Sequence, residues 1–446
     1  MQRRTFLKQN AKAAAAASAT FALERTLATG AAAPSSRFRA GFVGVGGRAS
    51  SLLGCFSAMP EVEIVSVADI DQNRIPKALE IVAEHKSKPP AVHGDFRRLI
   101  DDPSIDILVV GTPDHWHAIP TIMGCQAGKD VYVEKPDGHN IVEGQRMVAA
   151  MKKHNRVVQM GTQSRSDPGF LSAMDYIRSG KLGRVLVAKS WESTRQSSIG
   201  HPPDTDPPQG VDYDMWLGPA PVRPFNPKRF HANWRWFFDY GTGDLGNDGV
   251  HRIDYARAGL DAYLESQGKQ PLGLPTKISA LGGKWYFDDM QQWPDTLQAT
   301  YEYPSTDGGP GLIQSYEMRV WTPYNYQNLG EGAVLYGDEG YIQIGTRRWR
   351  AFTAKNKLVA EGESTTETTP HARNFLDCVV SRTRPNADLE TIGHPASVMC
   401  HAANVAWRVG RQLQLDPQTE TFVNDPEANA LRTRPEYRKP WLLPEV

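Results

Sequence analysis

From Arg39 onward the apolar residues fall in short, near-continuous runs, Phe42 to Val45, Val62 to Ala68, Ile105 to Val110, Val131 to Val133 and Val157 to Met160. Helix-length segments separate them. Runs without polar alternation are buried on both faces, and parallel strands need long crossovers, so this rhythm predicts a doubly wound parallel α/β domain. After residue 161 the period changes. Between Asp295 and Tyr303, Leu297, Ala299, Tyr301 and Tyr303 alternate with Gln298, Thr300 and Glu302, the signature of a half-buried antiparallel strand. Tyr316 to Trp321 and the segments flanking Gly337-Asp338-Glu339-Gly340 continue the pattern, and helices are expected near His371 to Val380 and Pro395 to Gln412. The expected second domain is α+β, with a mostly antiparallel open sheet. Pro202 to Gly210, with four prolines, reads as a loop within it.

Residues 1–33 follow another pattern: Arg3-Arg4-Thr5-Phe6-Leu7-Lys8, an Ala-rich run from Ala11 to Ala22, then Ala31-Ala32-Ala33. A basic start, a short apolar stretch and small residues before a cleavage point make a signal peptide, and the adjacent arginines resemble a twin-arginine export signal. The run is too short and weak to span a bilayer. The expected organisation is therefore a signal over 1–33, a nucleotide-binding domain over 37–160 and a substrate and oligomerisation domain over 161–446, in an exported, periplasmic protein.

Composition narrows the function classes. The 446 residues carry 50 Lys plus Arg against 50 Asp plus Glu, and this balance gives no basic excess for a nucleic-acid partner. Removing the signal takes away Arg3, Arg4, Lys8, Lys12, Arg25 and only one acid, Glu24, and leaves the remainder mildly acidic. Apolar residues at 40% and charged residues at 22% predict a folded chain. Cys55, Cys125, Cys378 and Cys400 show no close spacing, so no metal cage or disulfide framework is predicted.

Gly44-Val45-Gly46-Gly47-Arg48-Ala49 follows the first strand as Gly-x-Gly-x-x-Ala, and Asp69 ends the second. Glycines there let the backbone approach a pyrophosphate at a helix N-terminus, and the acid meets the ribose hydroxyls, the arrangement of a Rossmann dinucleotide site. Asp69 repels a 2′-phosphate and favours NAD; Arg74, just past that strand, leaves NADP open. Thr112-Pro113-Asp114-His115-Trp116-His117 and Glu134-Lys135-Pro136 follow the third and fourth strands, where open α/β sheets place their ligand crevice. His115 and His117 lack a clear third ligand, so no metal is assigned.

These motifs resemble the glucose-fructose oxidoreductase, inositol dehydrogenase and rhizopine-catabolism family, Gfo/Idh/MocA, over about residues 38 to 440. The resemblance implies that Lys135 lies between nicotinamide and substrate, that Thr112, Pro113 and His117 sit near the nicotinamide ribose, and that Gln163-Ser164-Arg165 replaces the family's Asn-x-Arg. The family's substrate-side Asp, four residues before a His or Tyr, corresponds to Asn247 before His251, with Asp248 adjacent. Asn orients a hydroxyl but cannot take its proton.

An aromatic run, Phe230 to Tyr240, includes Trp234 and Trp236, side chains on which sugar rings pack. The catalytic candidates are thus Lys135, His251, Asn247 and Asp248. The cofactor candidates are Gly44, Gly46, Gly47, Arg48, Asp69, Arg74, Thr112, Pro113, His115, His117, Glu134, Lys135 and Gln163. The substrate candidates are Arg165, Trp234, Trp236, Asn247 and His251. The expected function is hydride transfer between retained NAD and a secondary hydroxyl of a carbohydrate, in a homo-oligomer. A redox-neutral glycoside-cleaving enzyme and a non-catalytic sugar- or nucleotide-binding protein are the alternatives.

Overall fold

The computed structural model describes residues 37–305 and 311–446, so the export signal read at 1–33 lies outside the described residues. Six strands, β1 (Phe38–Val43), β2 (Val62–Ala68), β3 (Ala91–His93), β4 (Ile107–Val110), β5 (Asp130–Val133) and β6 (Val158–Met160), form a parallel sheet in the order β3-β2-β1-β4-β5-β6. β4, β5 and β6 are buried along their whole length, in keeping with their near-continuous apolar runs. The first strand begins at Phe38 and stops at Val43, earlier than expected, because Gly44 turns the chain at φ +82°. The edge strand β3 escapes an apolar-run search: it is three residues long and two of them are exposed. Strand order reverses between β1 and β4, and this switch point opens a crevice at their carboxyl ends.

The second sheet has ten strands: β7 (Val185–Ser193), β8 (Lys277–Gly283), β9 (Thr296–Tyr303), β10 (Leu312–Arg319), β11 (Glu331–Gly337), β12 (Gly340–Ile344), β13 (Arg348–Thr353), β14 (Leu358–Glu363), β15 (Leu413–Asp416) and β16 (Thr421–Phe422). Their order is β14-β13-β12-β11-β7-β10-β9-β8-β15-β16, antiparallel except where β7 and β10 pair in parallel. Leu297, Ala299, Tyr301 and Tyr303 all point into the core. The helices Val250–Ser266 and His394–Val409 cover that inner face. On the outer face the paired residues Val187 and Ile313 are exposed.

Segments beyond residue 161 also return to the first sheet. The helix Thr369–Ser381 lays Phe375 against Phe56 and Tyr132, with ring centroids 6.5 and 6.0 Å apart. Trp441 of the tail packs edge-on against Trp116 at 4.9 Å. Among the described residues, no helix is long and apolar enough to cross a membrane.

Candidate functional site

A cavity of about 310 Å³ opens at the switch point, lined by the glycine turn, Asp69, Lys135 and Asn247. Its first wall is the turn after β1. Gly44 holds φ +82° against the carbonyl of Gly111, 3.1 Å from where a Cβ would stand, so a side chain there is both strained and crowded. Gly46 faces the guanidinium of Arg74, which occupies the space of any Cβ at that position. The helix Arg48–Ser57 starts at Gly47 with no side-chain cap and no acid in its first turn, leaving its N–H groups for an anion.

Asp69 lines the same wall. Its Oδ2 accepts from Val45 N and its Oδ1 from Asp71 N, both at 2.9 Å, so the carboxylate also braces the turn. Burial raises its pKa against those two hydrogen bonds. Arg74 approaches Asp71 at 3.6 Å. The hydroxyl of Thr112 is buried without a partner, and Pro113 lies beside it in the lining. An open glycine turn, an uncapped helix start, an acid after β2 and an orphaned hydroxyl together fit a dinucleotide. Glu134 accepts from Arg48 Nε at 3.0 Å across the cavity floor.

Residues Leu245–Gly249 form a π-helical turn ahead of the helix Val250–Ser266. Such a turn shifts carbonyls out of the ordinary helical ladder and recurs at functional sites. The carbonyl of Asn247 accepts a hydrogen bond from Lys135 Nζ, and the carboxylate of Asp248 lies 3.8 Å from the same ammonium. Arg235 reaches the other oxygen of Asp248 at 4.0 Å. His251 is half-buried, and its ring makes no hydrogen bond among the described residues. Burial, then the charges of Lys135 and Arg252, hold its pKa well below the usual histidine range, so the imidazole is neutral.

The structure thus gathers Gly44, Gly46, Gly47, Arg48, Asp69, Arg74, Thr112, Pro113, His117, Glu134, Lys135, Trp234 and Asn247 around one cavity, with Asp248 in contact with Lys135. Besides Asp248, five expected residues are absent from the lining: His251, one turn beyond Asn247, and four more. His115 is buried, with Nε2 2.8 Å from the Trp216 carbonyl, and burial pushes it down to about 3; it is a core histidine. Trp236 is buried in the second domain's core rather than facing substrate, because the short helix His231–Trp236 turns it inward. Arg165 grips Asp254 through two bonds of 2.8 and 2.6 Å, so its guanidinium is committed to an internal ion pair. Gln163, beside it in the turn Gln163–Ser166, is absent from the cavity lining. His117 lines the cavity, yet its two ring nitrogens lie 2.6 and 2.9 Å from the carbonyls of Pro136 and Thr112 and staple the two strand-end loops together.

Other residues enter without having been singled out. Asp114 lines the crevice and accepts from Thr242 Oγ1 at 2.7 Å. His231 projects into it from a left-handed backbone, φ +50°, 3.1 Å from Asp71. Arg235 stands within the aromatic run, where its charge was the available signal. Glu192 and Asp244 meet Asp248, with a ligand atom of each within 4.8 Å of the others. No spacing announces this group, since Glu192 arrives from a strand more than fifty residues upstream.

A model described as an oxidoreductase family, NAD-binding Rossmann fold, matches residues 38–162, and its companion for a C-terminal alpha/beta domain matches 190–277 and 336–443. A 1-carboxy-3-chloro-3,4-dihydroxycyclohexa-1,5-diene dehydrogenase of Comamonas testosteroni is 31% identical over 35% of this chain and 38% of its own. An alpha-N-acetylgalactosaminidase of Shewanella oneidensis is 28% identical over 33% of each. The match therefore spans only about a third of these relatives' lengths. Levoglucosan dehydrogenase, solved with NADH and levoglucosan, superposes with a TM-score of 0.65 at 17% identity, over 85% of this chain and 100% of that one, and shares the fold.

Proposed function

The chain belongs to the Gfo/Idh/MocA family of NAD-binding oxidoreductases, and from that premise we propose that it moves hydride between a retained nicotinamide cofactor and a secondary hydroxyl of a sugar, polyol or glycoside. One observation carries the reading: Lys135 lines the same crevice as the glycine turn, held by the carbonyl of Asn247 and facing Asp248 at 3.8 Å. Bound there, the nicotinamide supplies the carbon that accepts or returns hydride.

The chain's own residues handle charge and proton. Lys135 stabilises the developing alkoxide, an electrostatic effect made stronger by the side chain's partial burial. Neutral His251, one turn beyond Asn247, accepts the hydroxyl proton. Asn247 orients the hydroxyl, and Trp234 offers an apolar ring face. The test is Lys135→Ala assayed for turnover of an identified substrate, with bound nucleotide quantified in parallel. A loss of about 10²- to 10⁴-fold with nucleotide retained supports the reading; unchanged turnover removes it.

The resemblance to an alpha-N-acetylgalactosaminidase supports a second reading, in which oxidation is transient and a glycosidic bond is cleaved without net redox change. Cleaved sugar without accumulating NADH would select it. Export through the twin-arginine route and self-association through the exposed face bearing Val187 and Ile313 complete the proposal. N-terminal sequencing of the secreted protein and its solution mass test these two points.

A further inference from the structure

We propose that Glu192, Asp244 and Asp248 form a binding site for one hard divalent cation of the Mg²⁺ or Mn²⁺ class, beside Lys135 at the substrate end of the crevice. The three carboxylates come from two elements. Glu192 stands on β7, paired with Met318 of β10 and Glu331 of β11, and its side chain is buried. Asp244 stands immediately before the π-helical turn Leu245–Gly249 and Asp248 within it.

One oxygen from each residue lies within 4.8 Å of the others. Two oxygens on opposite sides of one cation at about 2.0–2.6 Å stand about 4.0–5.2 Å apart, so a small inward shift of the side chains suits the shorter bonds of Mg²⁺ or Mn²⁺. An all-carboxylate set selects a hard cation over the softer metals that thiolate or imidazole would hold.

Proximity of acids alone does not make a site, and the second observation lies in their unused atoms. Glu192 and Asp244 are 2% and 1% exposed, yet Oε2 of Glu192 and Oδ2 of Asp244 have no hydrogen-bond partner. Asp244 spends its other oxygen on Gln196 Nε2 at 3.1 Å. The hydroxyl of Tyr316, also buried and unpartnered, senses the charges of Glu192 and Asp244. Buried carboxylate oxygens left without donors need a counter-charge. The neighbouring cations supply it only in part: Lys135 and Arg235 both approach Asp248, Arg252 is bonded to Glu331 at 2.6 Å, and none donates to the free oxygens of Glu192 and Asp244. A divalent cation satisfies all three acids, while the half-exposed Asp248 keeps one side of the ion toward the crevice, where substrate oxygens can complete its shell.

The inference stands on the three acids and does not depend on hydride transfer. The experiment strips the full folded protein with chelator and titrates it with Mn²⁺, following free Mn²⁺ by its electron paramagnetic resonance signal. Nucleotide content is measured in the same samples and reports separately on the cofactor reading. The expected result is one Mn²⁺ per chain, with affinity falling about 10- to 100-fold or more in Glu192→Gln and Asp244→Asn. Should either buried variant fail to fold, Asp248→Asn, at a half-exposed position, is expected to weaken binding in the same direction. No binding by the folded wild-type protein at millimolar Mn²⁺, or binding unaltered in the folded variants, overturns the proposal.

Discussion

At the residue scale the crevice separates side chains that hold structure from those left free to act. His115 and His117 are two positions apart and sit at the same strand end, yet both direct their ring nitrogens at backbone carbonyls. His251 has no such bond, and its depressed pKa keeps it unprotonated at acidities where an ordinary histidine base would be lost. Accordingly, the acid limb of kcat/KM should not fall at the usual histidine pKa near 6.5 but at lower pH, and His251→Asn should remove most turnover across the whole range. A pH–rate profile of both proteins checks this. Thr112 makes the complementary case: its buried hydroxyl has no partner within the protein, so Thr112→Val should leave the melting temperature nearly unchanged. The same change should weaken nucleotide retention by about 0.5–1.5 kcal/mol, read as a faster loss of bound nucleotide on dilution.

At the scale of elements, the helix Val250–Ser266 is buried on nearly every side although it carries four charges in its buried stretch. Each charge is answered: Arg252 by Glu331, Asp254 by Arg165, Arg257 by the Leu272 carbonyl and Asp261 by the Leu272 amide. A charge pattern of this kind reads in sequence like a solvated helix. Only packing between the sheet and neighbouring helices shows that the partners arrive from elsewhere. Arg165→Ala leaves Asp254 buried and unpaired and should destabilise the fold by about 3–5 kcal/mol. A chemical denaturation curve measures it; a raised KM at unchanged stability would instead return Arg165 to the substrate. The π-helical turn that starts this helix shows equally why the sequence located Asn247, Asp248 and His251 but missed their companions. Its Gly-rich spacing is local, whereas Glu192 reaches it from β7.

At the scale of the molecule, His394 joins the two domains. It stands at the start of the helix His394–Val409 between Asp137, just beyond β5, and Glu420, at 2.6 and 2.9 Å. Burial alone would lower its pKa, but Asp137 first and Glu420 after it outweigh burial and hold it at about 10. A folded-state pKa raised above the unfolded value of 6.5 gives stability that is fully present below that value and lost as pH rises toward 10. The melting temperature should therefore decline between these limits for the wild type, and His394→Gln should lose much of that slope while starting less stable. The same scale governs the helix Thr369–Ser381, which returns from the second half of the chain to pack Phe375 on Phe56 and Tyr132. Phe375→Ala should cost about 3–5 kcal/mol and loosen the nucleotide-binding sheet, detectable as faster amide exchange in the helix Arg48–Ser57.

The sequence by itself determined those features whose physics is local. Near-continuous apolar runs specified the parallel strands other than the edge strand β3, because a strand covered on both faces has little polar side. Strict alternation specified β9, because one face meets the core. The glycine turn with Asp69 and the strand-end Lys135 were legible for the same reason: steric freedom, helix start and strand end are each set by a few adjacent residues. What tertiary structure alone decided depends on distant residues meeting. It turned Trp236 and His115 inward, consumed Arg165 on Asp254, and brought Glu192 to Asp244 and Asp248. Those outcomes follow from which buried partner each polar or aromatic group finds, and no short-range pattern encodes a partner that distant in the sequence.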